Sequence, residues 1–171
     1  VEIGMDHFAL KSDHLYKATI NKTLHRNFMG YTANTTQVMI GLGMSSISDS
    51  WYGFAQNVKT VKDYERIVKS GEIPISKGHI LTDEDLVIRQ HILNIMCQLE
   101  TSWSSQNLKF SEINNVLTAL KEAKKDGLIQ IENDVLKVPE KAKPFIRNIC
   151  MGFDLRLHKS RPETQVFSMT I

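Results

Sequence analysis

The chain has 171 residues, 42% of them hydrophobic and 23% charged, with a net charge of +2. That length suits one domain or one and a half, and the apolar content suffices for a core without disulfides. Charge this close to balance gives no sign of a nucleic-acid or membrane partner, no apolar run approaches the ~20 residues that span a bilayer, and no signal-peptide pattern opens the chain. Cys97 and Cys150 are far apart, lie in apolar helical patterns and form no CxxC. They read as buried free thiols of a reducing compartment, which predicts a cytoplasmic location.

Val1 is not an initiator methionine, and the residues after it read as the middle of a fold, so we expect a piece of a longer protein. Ile3 and Met5 alternate with Gly4 and Asp6 as in a short strand. Ser12 and Asp13 offer caps for a helix over 14–22, with Leu15, Ala18 and Thr19 facing inward. Residues 24–48 then open with a cationic pair, His25 and Arg26. The pattern predicts two extended segments, 28–32 and 37–42, around a polar turn at 33–36. Gly41 and Gly43 with Ser45, Ser46 and Ser48 leave room for a ligand or another backbone to come close, because glycine carries no Cβ; a structural hairpin with a bulge gives the same pattern. Residues 51–57 are aromatic and β-prone, a third strand. Thr60 caps a helix to residue 70, with Val61, Tyr64, Ile67 and Val68 on one face, and Gly71 sits at C′. Residues 72–81, with Pro74 and Gly78, read as a connector, and we place a boundary near residue 80.

Beyond it the pattern becomes helical. Thr82 to Asp85 resembles a capping box with acids in the first turn, and Ile88, Ile92, Ile95, Met96 and Leu99 form one stripe to about residue 99. A second helix opens at Ser111, with Ile113, Val116, Leu117, Leu120 and Ala123 on its stripe, and ends at Asp126-Gly127. Residues 128–132 and 135–138 around Asn133-Asp134 predict a small β-hairpin. A last helical region starts at Pro139 or Glu140, is interrupted near Gly152 and ends near Lys159. The fold class is therefore α+β, and its second half resembles a winged-helix arrangement. The tail, 160–171, has no period and ends in Phe167, Met169 and Ile171.

No nucleophile–base set stands out: the chain has no GxSxG, HExxH, Walker A or CxxxCxxC. The histidines are scattered. His7 and His25 would meet only if the first strand paired with the hairpin, and a metal site needs three or four convergent ligands, so no metal is expected. Asp6 and His7 could face a cleft or form a structural pair. Lys121, Lys124 and Lys125 suggest a nucleic-acid-reading helix, but they occupy a last turn where cations favour the dipole, with Glu122, Asp126, Glu132 and Asp134 close by. No nucleic-acid partner is therefore expected, and a non-catalytic winged-helix module acting in protein or nucleic-acid binding is the alternative from that half.

Residues 2–9 (EIGMDHFA), 24–28 (LHRNF) with 30–32 (GYT), Gly41-Leu42-Gly43, Ser45 with Ile47-Ser48, Ala55-Gln56-Asn57, and 146–150 (IRNIC) with Phe153-Asp154 resemble the C-terminal part of oxygen-independent coproporphyrinogen III oxidase, a radical S-adenosylmethionine enzyme of haem biosynthesis. The resemblance keeps order and spacing over nearly the whole chain. It implies that residues 1–80 are trailing strands and helices of a radical-SAM catalytic domain, and that 81–171 are a mostly helical lid with a small winged-helix-like hairpin. It implies a parent that converts two propionates of coproporphyrinogen III to vinyl groups, giving protoporphyrinogen IX, with a [4Fe–4S] cluster and two molecules of S-adenosylmethionine. The missing N-terminal barrel and the porphyrinogen would be its partners. The cluster-binding CxxxCxxC is absent here, so the chain alone is expected to be inactive. By motif match Phe28, Met29 and Ile47 fall at positions for the second S-adenosylmethionine, with Met29 where the family usually carries glutamine, losing an amide donor and acceptor. The carboxylates of the substrate suit arginine, so His25, Arg26, Arg147 and Arg161 are substrate candidates. A radical-SAM-like haem-binding protein is the remaining alternative.

Overall fold

In a computed structural model the described residues are 1–159. Arg161 and the apolar tail positions Phe167, Met169 and Ile171 lie outside them. The chain opens with a small antiparallel pair, β1 (Glu2–Gly4) and β2 (His7–Phe8). Its turn places Met5 and Asp6 at φ 42° and 65°. Helix α1 (His14–Ile20) starts where Asp13 Oδ1 accepts from the Leu15 N–H at 2.7 Å, and it buries Ala18. This is the side-chain cap the sequence predicts.

The predicted hairpin of 28–32 with 37–42 does not form; a shorter one lies just upstream. Strands β3 (His25–Asn27) and β4 (Gly30–Thr32) pair antiparallel, with Asn27 opposite Gly30, so Phe28 and Met29 form the turn. Asn27 Oδ1 accepts from the Met29 N–H at 2.8 Å. That Asx-type bond closes the chain two residues on, earlier than the polar run at 33–36. Residues 37–42 are not a strand: among them Met39 alone bridges to Asp49. The loop is held instead by side chains. Asn57 Nδ2 donates to the Gly41 and Gly43 carbonyls at 3.1 and 2.9 Å, and the Tyr64 hydroxyl accepts from the Gly43 N–H at 3.0 Å. A Cβ on Gly41 would lie 2.8 Å from the Ile47 carbonyl oxygen, so the close approach there is one of backbone to backbone.

Strands β5 (Ile47–Asp49), β6 (Gly53–Asn57) and β7 (Ile75–Ile80) form an antiparallel sheet in that order. β7 corrects the predicted connector: despite Gly78, residues 75–80 pair with β6 along its length. Pro74 precedes the first paired residue, where its missing N–H costs the ladder nothing. Between β6 and β7, α2 (Val61–Lys69) carries the predicted Thr60 cap, and Gly71 follows it at φ 79°.

Helix α3 (Asp83–Gln98) has a full capping box between Thr82 and Asp85 and ends at Leu99 in the left-handed region. It buries His91, Ile95 and Met96. β8 (Glu100–Ser102) follows, then a 3-10 turn at Gln106–Leu108. The predicted second helix is two pieces, α4 (Ile113–Ala119) and α5 (Lys121–Lys125). β9 (Gln130–Glu132) and β10 (Val135–Lys137) form the predicted hairpin, its turn residues Asn133 and Asp134 at φ 48° and 62°. That geometry explains the Asn-Asp pair, which tolerates left-handed backbone. β8 adds to the outer side of β10, giving the order β8-β10-β9. A 3-10 stretch (Glu140–Phe145), α6 (Ile146–Met151) and α7 (Leu155–Lys159) complete the described chain.

The core is lopsided. Ile95, Val116, Leu120, Ile129, Leu136, Ile149 and Phe153 are fully or almost fully buried. The first eighty residues add only Ile3, Ala18, Leu24 and Tyr31 to the buried hydrophobic set. Around their sheet Ile40, Leu42, Ile73 and Ile80 stay largely exposed, and α2 buries no residue.

Candidate functional site

A cleft of about 640 Å³ lies where the β3–β4 hairpin, the β5–β7 sheet, α3 and the start of α7 meet. Its apolar floor comes from the α3 stripe, Ile88, Ile92 and Met96, with Leu155, Phe28 and Phe54 around it. Phe28 sets its ring edge-on to Phe54 with centroids 5.2 Å apart. Size and mixed lining are those of a small-molecule site.

Strand register fixes the polar side. Asp49 pairs with Phe54 and Phe54 with His79, so all three share the sheet face that looks into the cleft. Ile47 is two residues from Asp49 and lies on that same face. Arg89 reaches from α3 to donate to Asp49 Oδ2 at 2.6 Å and to the Trp51 carbonyl at 2.9 Å. Its guanidinium sits over the Trp51 and Phe54 rings, and the pair's side chains are only 15% and 8% exposed. At the rim Arg156 grips Asp85 with two bonds, Nε to Oδ1 at 2.9 Å and Nη2 to Oδ2 at 2.7 Å. Those bonds, with the Thr82 cap, hold the Asp85 carboxyl well below the usual carboxylate range.

Arg26 differs from both. It is half-buried, lines the cleft, and stacks its guanidinium 4.9 Å above the Tyr31 ring. Its Nη1 is buried and has no hydrogen-bond partner. Arginine cannot shed its charge, and a buried donor left without an acceptor costs about 1–3 kcal/mol or more when charged. Behind it the Tyr31 hydroxyl donates to the Met96 carbonyl at 3.1 Å, and burial pushes that phenol up to about 12.

The remaining candidates divide. His25 is half-buried, and burial first, then Arg89, lowers its pKa against the opposing pull of Asp49. Met29 is 84% exposed at the hairpin tip, its N–H taken by Asn27. Arg147 is exposed on α6, away from the cleft lining. His7 does not join His25: it turns to the Met5 carbonyl at 3.0 Å and sets its ring edge-on to Tyr31. Cys97 and Cys150 are free; Cys150 is buried as expected but Cys97 only half-buried, and burial pushes their thiols up to about 11 and about 12. No group of three or more potential metal ligands gathers among the described residues, and no helix there is long and apolar enough to cross a membrane.

Sequence reasoning missed Asp49, Arg89, Asp85 and Arg156 as site residues. A signal for one was present: Arg89 interrupts the inner stripe of α3 between Ile88 and Ile92. A cation in an apolar stripe implies a carboxylate opposite it.

No protein-family model matches the chain. It is 38% identical over 180 residues to the oxygen-independent coproporphyrinogen III oxidase of Synechocystis, a match covering all of this chain and 38% of that protein. The enzyme of the same name from Escherichia coli K12 is 35% identical, over 99% of this chain and 38% of its own length. The solved structure of the Escherichia coli coproporphyrinogen III oxidase, a radical SAM enzyme, superposes with a TM-score of 0.81 at 35% identity, over 91% of this chain and 37% of that one. The chain therefore spans little more than a third of the relatives it matches. By sequence along its whole length and by fold, it is a homologue of one portion of the oxygen-independent coproporphyrinogen III oxidases.

Proposed function

We propose that the chain supplies one wall of the reaction chamber of an oxygen-independent coproporphyrinogen III oxidase, which decarboxylates two propionates of coproporphyrinogen III to vinyls in haem biosynthesis. The match in order and spacing along the whole chain carries this reading. In such a parent the [4Fe–4S] cluster and S-adenosylmethionine supply the hydrogen abstraction. Two thiols, half-buried Cys97 and buried Cys150, raised to about 11 and about 12, do not fit a three-cysteine cluster site, so that centre belongs to another part of the parent, and this chain alone is inactive.

What these residues contribute is shape, charge and exclusion of water. Phe28, half-exposed, and Ile47, on the sheet face beyond Phe54, suit an apolar wall for one S-adenosylmethionine. Met29 offers that cofactor its carbonyl and thioether, its N–H being committed to Asn27. His25 and Arg26 on the hairpin are the cationic groups placed to meet substrate; Arg147 is too far around α6 to share their cleft. We assign residues 1–80 to the edge of the catalytic domain, with Ile40, Leu42 and Ile80 meeting the remainder of the parent. Residues from 81 onward, with the winged-helix-like hairpin, act as a lid that keeps water from a reactive intermediate.

The test is anaerobic conversion of coproporphyrinogen III by the full-length protein that carries this chain, given S-adenosylmethionine and a reductant. Protoporphyrinogen IX is the expected product, with none from the 171-residue chain alone. Stoichiometric haem binding without conversion would move the protein to the haem-binding alternative.

A further inference from the structure

We propose that Arg89 is a positioning residue for the cleft: from α3 it fixes the Phe54 ring, and through that ring Phe28, so that the helical half of the chain sets the apolar wall on the sheet half. The assignment rests on the wall proposed above and adds the residue that shapes it. Arg89 stands in the α3 stripe between Ile88 and Ile92, where an aliphatic side chain would continue the floor of the cleft without the cost of desolvating a charge. A buried ion pair is weak evidence for stability, since well-packed apolar residues often replace one without loss. What an aliphatic side chain cannot supply at this position is orientation.

Two bonds fix the guanidinium plane. Nη2 donates to Asp49 Oδ2 at 2.6 Å and Nη1 to the Trp51 carbonyl at 2.9 Å, while Asp49 Oδ1 accepts from the Trp51 N–H. One side chain of α3 thus clasps the turn between β5 and β6 at two points. Held there, the guanidinium lies over the Trp51 ring at 4.4 Å and the Phe54 ring at 5.0 Å. Pairing in the sheet sets the backbone of Phe54, opposite Asp49 and His79, but not the tilt of its ring. That ring in turn receives Phe28 edge-on at 5.2 Å. Phe28 depends on such a partner, because it sits half-exposed in the hairpin turn, beyond the last ladder pair of Asn27 with Gly30. With its side chain only 15% exposed and both terminal nitrogens bonded to protein, Arg89 acts on a ligand through these rings. Lysine does not reproduce the arrangement, being a point charge without a plane or a fork.

The experiment uses the full-length protein that carries this chain, labelled with 4-fluorophenylalanine at Phe28 and read by fluorine NMR. Arg89→Lys, Arg89→Met in the Asp49→Ala background, and Phe54→Leu are compared with the wild type under conditions where urea unfolding shows each to be folded. The fluorine line should move in both Arg89 variants toward its position in Phe54→Leu, because all three lose the edge contact. S-Adenosylhomocysteine, titrated and followed at that line, should bind both Arg89 variants about fivefold or more weakly, the factor that one desolvated cation–π contact supplies. In turnover the KM for S-adenosylmethionine should rise while kcat stays within about twofold, the signature of lost binding rather than lost chemistry. An unmoved line in Arg89→Lys, an affinity that simply follows the urea midpoint across the variants, or a fall in kcat at unchanged KM overturns the proposal. A wild-type line that ignores S-adenosylhomocysteine overturns the wall proposed above, and no product from the wild type overturns the proposed activity; in either case the position of the fluorine line still decides the part played by Arg89.

Discussion

Removing Asp49 should be among the most damaging single changes outside the apolar core. Asp49→Ala leaves the Arg89 guanidinium, 15% exposed, facing the space where a carboxylate oxygen stood at 2.6 Å. It also frees the Trp51 N–H, which Asp49 Oδ1 accepts at 2.9 Å at a residue held at φ 65°. Breaking a buried pair from one side costs about 3–5 kcal/mol, because the surviving charge is stranded. With a urea slope of about 1–3 kcal/mol per molar, the midpoint falls by at least ~1 M. Arg89→Met in the Asp49→Ala background removes the stranded charge, so the double variant should be more stable than Asp49→Ala alone. The assay is urea unfolding followed by tryptophan fluorescence and circular dichroism on the four proteins of the cycle. A cost below about 1 kcal/mol for Asp49→Ala, or a double variant as unstable as the sum of the singles, would refute the reasoning.

His91 is fully buried, with Nδ1 2.8 Å from the Thr101 hydroxyl and Nε2 2.9 Å from the Leu108 carbonyl, and burial lowers its pKa from 6.5. The folded state therefore keeps the ring neutral. Its share of stability is complete above the unfolded value and is lost as pH falls below 6.5 toward the lowered folded value, so the urea midpoint should drop through that window. His25 shifts the same way, so a His91→Gln variant should flatten the profile only in part; an unchanged slope refutes the assignment. At Gly152 an added Cβ would meet Leu120 Cδ2 and Cγ at 2.5 and 2.7 Å. Gly152→Ala should cost about 1–3 kcal/mol from overpacking, less what alanine returns in helix propensity, and a stabilised variant would show that Leu120 gives way freely. Cys97 and Cys150, raised to about 11 and about 12, should resist iodoacetamide near neutral pH until the chain is unfolded. Rapid labelling of the native protein would contradict their burial.

Local chemistry was legible in the sequence wherever one side chain decides it. Asp13, Thr60 and Thr82 cap their helices, and Asn133-Asp134 turns its hairpin, because short polar groups answer orphan N–H groups or accept left-handed backbone. What depends on partners distant in the chain was not. β7 has every residue exposed, so no alternation marks it, and only pairing with β6 makes it a strand. The turn of the first hairpin was misplaced because Asn27, at the end of β3, closes it before the longer polar run. Hairpin residues 25, 26 and 28 were singled out from pattern and resemblance together, and Arg26 and Phe28 do reach one cleft. The Asp49–Arg89 pair spans 40 residues of chain, and no spacing rule predicts it.

The cleft also bears on how a lid beyond residue 80 could move. β7 ends at Ile80 and α3 begins at Asp83, so a hinge there has only Leu81 and Thr82 to bend. Leu81 donates its N–H to the Tyr52 carbonyl at 2.9 Å, and Thr82 is committed to the capping box. Swinging α3 away from the sheet would separate Arg89 from Asp49 and from the Trp51 carbonyl and move Met96 off the Tyr31 hydroxyl. Each of these buried contacts must be given up for the swing, so the closed arrangement is the favoured one. The wall that carries Arg26 is therefore preformed.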